Sequence, residues 1–101
     1  MDVSKVRYWG NRMFAYNVME KIVEDELARL IETGSYKGCT CLKCHADIMA
    51  LALNQLPPKY VVSEKGKLIS QIEATLPQNK ADNIAAVVAA CKLVQQAPRH
   101  E

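Results

Sequence analysis

The chain has 101 residues, of which 13 are Lys or Arg and 11 are Asp or Glu, for a formal net charge of +2. That length suits one domain around one core, and the interspersed, nearly balanced charge argues against both a polyanion-coating protein and an acidic tail. Half of the residues are hydrophobic but only 6% are aromatic, so the core must be aliphatic, a mixture that favours helices over a β-sandwich.

Residues 1–11 form a basic and aromatic segment. Lys5, Arg7, Tyr8, Trp9 and Arg12 gather bases and rings before the first periodic stretch. Guanidinium groups pair with phosphates and aromatic faces stack on bases, so such a group can take an anionic planar ligand. The other reading is that Tyr8, Trp9 and Phe14 cover the open end of a small core while the bases are solvated. Residues 12–96 read as one helical domain. A first amphipathic helix is expected over 12–32, with Val18, Met19, Ile22, Val23, Leu27, Leu30 and Ile31 recurring at steps of three and four. Gly34 supplies its stop signal.

A second helix is expected to start near Cys39, Cys41 and Cys44 and to run through Ile48 and Ala52 to Leu56, where Pro57 and Pro58 end it. Tyr60, Val61 and Val62 are β-prone. Too short to stand alone, this segment should pair with a symmetry mate or lie against the helices. Glu64, Lys65 and Gly66 read as a turn, followed by a third helix over 67–76 that carries Leu68, Ile69 and Ile72. Pro77 closes that helix, and Asn79 reads as the cap of a fourth, whose stripe is Ile84, Val87, Val88, Cys91 and Val94. Residues 97–101 are expected to fray. The fold class is therefore mainly all-α, a small four-helix domain with a short extended segment after the two prolines.

No stretch approaches the roughly 20 apolar residues that span a bilayer. The first ten residues carry Asp2, Lys5 and Arg7 without the apolar run of a secretory signal. These observations lead to an expectation of a cytoplasmic protein, where clustered cysteines favour metal ligation or redox chemistry over disulfides. Cys39, Cys41 and Cys44 form a Cys-x-Cys-x-x-Cys knuckle, and Cys91 falls on the stripe of the last helix. Four thiolates suit tetrahedral Zn2+, and a site filled by protein ligands is structural rather than catalytic. Such a site would clip the loop between the first two helices to the last helix, positions half a chain apart. Lys37, Lys43 and Lys92 flank the ligands and would offset their negative charge. Alternatives are a Cys91 that is simply buried, a redox pair of Cys41 and Cys44, or His45 as the fourth ligand.

Asn17, Val18, Met19 and Glu20, then the knuckle, then Asp47, Ile48, Ala50, Leu51, Ala52, Leu53 and Asn54, then Leu56, Pro57, Pro58, Lys59, Tyr60 and Val61 together resemble the ComFB late-competence family. The resemblance covers residues 17–94 and includes a fourth cysteine at Cys91. It implies a helical homodimer with a four-cysteine zinc site in each subunit and no known catalytic activity. Some members receive cyclic dinucleotides, cyclic di-GMP in particular, and are tied to competence, motility or cell size. From their chemistry, Arg7, Arg12, Asn17, Lys59 and Tyr60 are the candidates for such a ligand: bases for phosphates, an amide for a base edge and a ring at a dimer seam.

Two functions remain in view, a zinc-stapled receptor for a cyclic dinucleotide and an interaction adaptor that docks a downstream protein without a small ligand. An enzyme is disfavoured, since the chain carries no glycine-rich phosphate loop and no nucleophile motif. DNA binding lacks a basic helix to support it.

Overall fold

The computed structural model describes residues 15–97. Its elements run β1 (Tyr16–Asn17), α1 (Met19–Glu32), α2 (Leu42–Asn54), β2 (Tyr60–Val61), α3 (Glu64–Glu73) and α4 (Pro77–Gln96). The mainly helical expectation therefore holds. Helix α2 lies in the middle, packed most extensively on α4 and also on α1, which itself contacts α4. Leu27, Val23 and Val18 from the α1 side, Ile48 from α2 and Val87 from α4 are fully buried where the three helices meet. Burial of each such side chain contributes about 1.5–3 kcal/mol.

Helix α1 buries Met19, Ile22, Val23, Leu27 and Leu30, the stripe expected from the periodicity, whereas Ile31 falls at its edge and is 37% exposed. Gly34 ends the helix as expected. Its φ of 79° lets the chain reverse, so that the Tyr36 N–H reaches the Leu30 carbonyl at 3.0 Å. The start of the helix differs from the expectation of residue 12. Residues 16–17 are a strand, paired antiparallel with β2 in the register Tyr16 to Val61 and Asn17 to Tyr60. The β-prone segment after the prolines thus finds its partner within its own chain. Helical periodicity on one side of Asn17 could not reveal this pairing, because the partner lies more than 40 residues away.

Asn17 supplies the joint. Its Oδ1 accepts from the Met19 N–H at 3.1 Å, capping α1, and from the Lys59 N–H at 2.9 Å, pinning β2. The Val18 N–H adds a bond to the Lys59 carbonyl at 2.8 Å.

The third helix begins three residues before its expected start. Ser63 is extended, and its Oγ accepts from the Gly66 N–H at 3.0 Å, so 64–66 are the first turn of α3 rather than a separate turn. Helix α4 likewise opens earlier than Asn79. Pro77 is its first helical residue, a position where the missing N–H costs nothing, and the Asn79 carboxamide instead donates to the Glu73 carbonyl at 2.9 Å. Glu26, buried on α1, receives Lys80 of α4 at 2.9 Å and Arg29 at 2.9 Å. Burial by itself raises the carboxyl's pKa, but the hydrogen bonds and charges of Lys80 and Arg29 outweigh it and hold Glu26 below its ordinary value.

Ser70 is the buried residue of α3. Leu68, Ile69 and Ile72, the apolar residues carried at helical spacing, are 58%, 46% and 56% exposed, and Val62 and Leu76 beside them in sequence are also exposed. Among the described residues no helix is long and apolar enough to cross a membrane.

Candidate metal centre

The knuckle is built where α1 hands over to α2. After the Gly34 reversal the chain buries Tyr36, whose hydroxyl donates to the Cys39 carbonyl at 2.6 Å and sets the start of the cysteine segment. Cys41 then caps α2. Its sulfur accepts from the Cys44 N–H at 3.4 Å, while Cys39 Sγ accepts from the Cys41 N–H at 3.5 Å.

The thiols of Cys39, Cys41 and Cys44 lie within 4.8 Å of one another, two of them exposed and Cys44 buried. Burial pushes the Cys44 thiol up to about 12, with the hydrogen bonds and negative charge of Cys39 and Cys41 adding to the shift. Three thiols so crowded repel one another when ionised, and a soft divalent cation between them removes that repulsion. The donor set therefore fits a metal ion. Among the described residues the three cysteines alone make up this group.

Cys91 lies on α4, only 5% exposed, in the same core cluster as Cys44 but outside the group of three. Its helix face is turned toward the knuckle. Val94 and Gln95, three and four residues further on, line a small cleft with Tyr36, Gly38, Cys39 and Cys44. Gly38 makes that approach possible, since a Cβ there would stand 2.8 Å from both the Tyr36 hydroxyl and Gln95 Cγ. The Tyr36 phenol is raised first by burial and then by the charges of Cys91, Cys44, Cys39 and Cys41, so all four sulfurs act on one hydroxyl. Burial likewise pushes the Cys91 thiol up.

His45 sits in the first turn of α2, its N–H bonded to the Cys41 carbonyl at 2.9 Å. Lys43 shares its charge with Asp47 at 3.8 Å. Tyr36, Gly38 and Gln95 did not stand out in the sequence. The available signal was the bulky ring at Tyr36, three residues before Cys39 in an otherwise small and polar loop.

Of the ligand candidates, the ladder brings Asn17, Lys59 and Tyr60 together from segments far apart in the chain. Tyr60 is 60% exposed, and Lys59 Nζ pairs with Glu73 at 2.9 Å. Arg7 and Arg12 lie outside the described residues.

The family model described as "Late competence development protein ComFB" matches residues 16–98. The chain belongs to the ComFB family. Competence protein ComFB of Bacillus subtilis (strain 168) is 26% identical to it over 82 residues, covering 81% of this chain and 83% of the relative. A solved structure titled as a structural characterization of the late competence protein ComFB from Bacillus subtilis superposes with a TM-score of 0.76 at 24% identity. That match covers 85% of this chain and 93% of the other, so the four-helix arrangement with its terminal ladder is the ComFB fold.

Proposed function

We propose that this ComFB-family chain is a non-enzymatic, cytoplasmic regulatory protein. It works as a homodimer in which Zn2+, held by Cys39, Cys41, Cys44 and Cys91, staples each subunit, and it receives a cyclic dinucleotide such as cyclic di-GMP. The observation that carries the metal part is the convergence of three thiols beside a helix that brings a fourth, buried sulfur into the same core cluster. Soft thiolates favour borderline-soft Zn2+ over the hard common cellular cations, and a closed site stabilises without reacting. Dimerisation is supported by Leu68, Ile69 and Ile72, exposed aliphatic residues on a helix that buries little in its own subunit, with exposed Val62 and Leu76 just before and after it in sequence. Asn17, Lys59 and Tyr60 support the ligand part, placing an amide, a cation and an exposed ring at one ladder.

The same aliphatic face favours a second reading, an adaptor that docks a downstream protein in competence or motility control and binds no small molecule. Calorimetric titration with cyclic di-GMP separates the two. The receptor reading expects heat and a rise in melting temperature, because a ligand that prefers the folded state must stabilise it. Silence in both measurements at high ligand concentration leaves the adaptor. A metal assay of purified protein, expected to find one zinc per subunit, tests the staple.

A further inference from the structure

The end of α3 and the start of α4 stand over the two prolines and leave a cleft of about 280 Å³, smaller than the roughly 300–1,000 Å³ of a site for a drug-sized molecule. Ser70 and Asn83 line it, at 7% and 6% exposure. Among the described residues, neither the Ser70 hydroxyl nor the Asn83 carboxamide forms a hydrogen bond. Buried polar groups are almost always paired with protein, water or ligand, because a bare one lowers stability. Ser70 Oγ and Asn83 Oδ1 are thus two acceptors held for a donor that enters the cleft.

Charge decides the kind of donor. Glu73 and Asp82 contribute two carboxylates to the rim and Lys59 one ammonium, so the excess is negative and the cleft favours a cation. Lys59 Nζ already donates to Glu73 Oε1 at 2.9 Å. Gln78 Nε2 takes only Asp82 Oδ1, at 2.9 Å, and Asp82 Oδ2 accepts no hydrogen bond among the described residues. The remaining wall, Met19, Ile22, Pro57 and Pro58, is apolar. Such a wall suits neither a strongly hydrated ammonium nor a divalent metal ion, which keeps oxygen ligands on every side. A guanidinium meets both demands, with its N–H donors in one plane and a weakly hydrated face that lies against apolar groups.

We propose that this cleft binds the arginine side chain of a partner protein. The guanidinium donates to Asp82 Oδ2, Asn83 Oδ1 and Ser70 Oγ, while Met19 and the prolines cover its face and stem. That a protein presents the arginine rests on the adaptor reading above; the cleft's preference for a guanidinium does not, and a one-residue probe tests that preference apart from any partner.

The probe is N-acetyl-arginine amide, titrated into the intact chain at constant ionic strength and followed by the Met19 methyl and Asn83 carboxamide resonances. It should shift both, saturating in the millimolar range of a single side chain. The citrulline counterpart, the same shape without the charge, should bind about tenfold more weakly, and the lysine counterpart should also bind more weakly. Asp82→Asn, at an exposed position, should weaken the arginine probe by about tenfold. Asn83→Leu should weaken it too while raising the melting temperature of the free protein, because it removes an unpaired carboxamide at nearly constant volume. The proposal is overturned if the arginine probe leaves both resonances unmoved at tens of millimolar, if citrulline matches it, or if Asp82→Asn binds it as the unaltered protein does. A folded Asn83→Leu that melts lower also overturns it, because the carboxamide would then be a structural group satisfied by water. Replacing Arg7 and Arg12 with Gln should leave the probe's affinity unchanged; a rise would overturn the assignment to a partner and give the cleft to the chain's own N-terminal arginines.

Discussion

Replacing Cys91 tests the staple most directly, and two substitutions are needed to read it. Cys91→Ala removes the sulfur and leaves a small void in the core around Val87, Ala90 and Val94, an intrinsic cost of about 1–2 kcal/mol. Cys91→Ser adds an unpaired hydroxyl at a site 5% exposed, raising the cost by roughly 1–2 kcal/mol more. If Cys91 is the fourth ligand, both variants also lose the metal linkage. At free zinc a hundredfold above its Kd that linkage is worth about 2.7 kcal/mol, which for a domain of this size is a fall of about 10–20 °C in melting temperature. The assay is zinc content after gel filtration, combined with melting of wild type and both variants with and without chelator. Wild type should fall by that amount on chelation, whereas the variants should start low, contain little zinc and respond little. A Cys91→Ala protein that keeps one zinc per subunit and the full chelator response would refute the assignment and leave Cys39, Cys41 and Cys44 to find their fourth partner elsewhere, with His45 the first to examine.

Three further outcomes follow from the geometry. Glu26 is held below its ordinary value of 4.5 in the folded state, so its contribution is present above that pH and is lost as pH falls through the lower folded value; Glu26→Gln should cost about 1 kcal/mol at pH 7, after allowance for the half-exposed Lys80 and Arg29, and flatten the fall of the denaturant midpoint as pH drops below 4.5. Asn17→Ala removes both the α1 cap and the anchor of β2, so unfolding free energy should drop by about 2 kcal/mol with faster amide exchange at Val18 and Val61; a loss within error of zero would mean that the ladder holds itself. Ile72→Asp places a charge in the exposed aliphatic face of α3, and light scattering should report a dimer for the unaltered chain and a monomer for the variant, with the subunit's melting nearly unchanged at low concentration.

The elements legible in the sequence were those whose signals are local. Gly34 ends α1 because a left-handed residue is needed there, Pro57 and Pro58 stop a helix wherever they fall, and the Cys-x-Cys-x-x-Cys spacing alone brings three sulfurs into one turn. The Ser63 cap of α3 was equally local, but the glycine three residues later read as a turn and hid it. The stripe of α1 predicted its buried face nearly residue by residue, whereas that of α4 found Val87, Cys91 and Val94 but missed the buried Asn83, Ala86 and Ala90, and its Ile84 and Val88 are only half-buried. Periodicity, however, says only that a face is apolar and not what covers it, so Leu68, Ile69 and Ile72 carried the same pattern as a core helix while standing in solvent.

What tertiary structure alone decided are the contacts between distant segments. Asn17 became a cap and a strand residue because Lys59 arrives 42 positions later with a free N–H to donate. Cys91 and Tyr36 became neighbours of the knuckle through the packing of α4, at a point where Gly38 leaves room. Ser70 and Asn83 became buried together only when α3 and α4 closed over the prolines. Local backbone preferences are written in a few consecutive residues, whereas the partner of a buried polar atom or a sulfur is set by which surfaces the helices bury against each other, and that choice belongs to the whole chain.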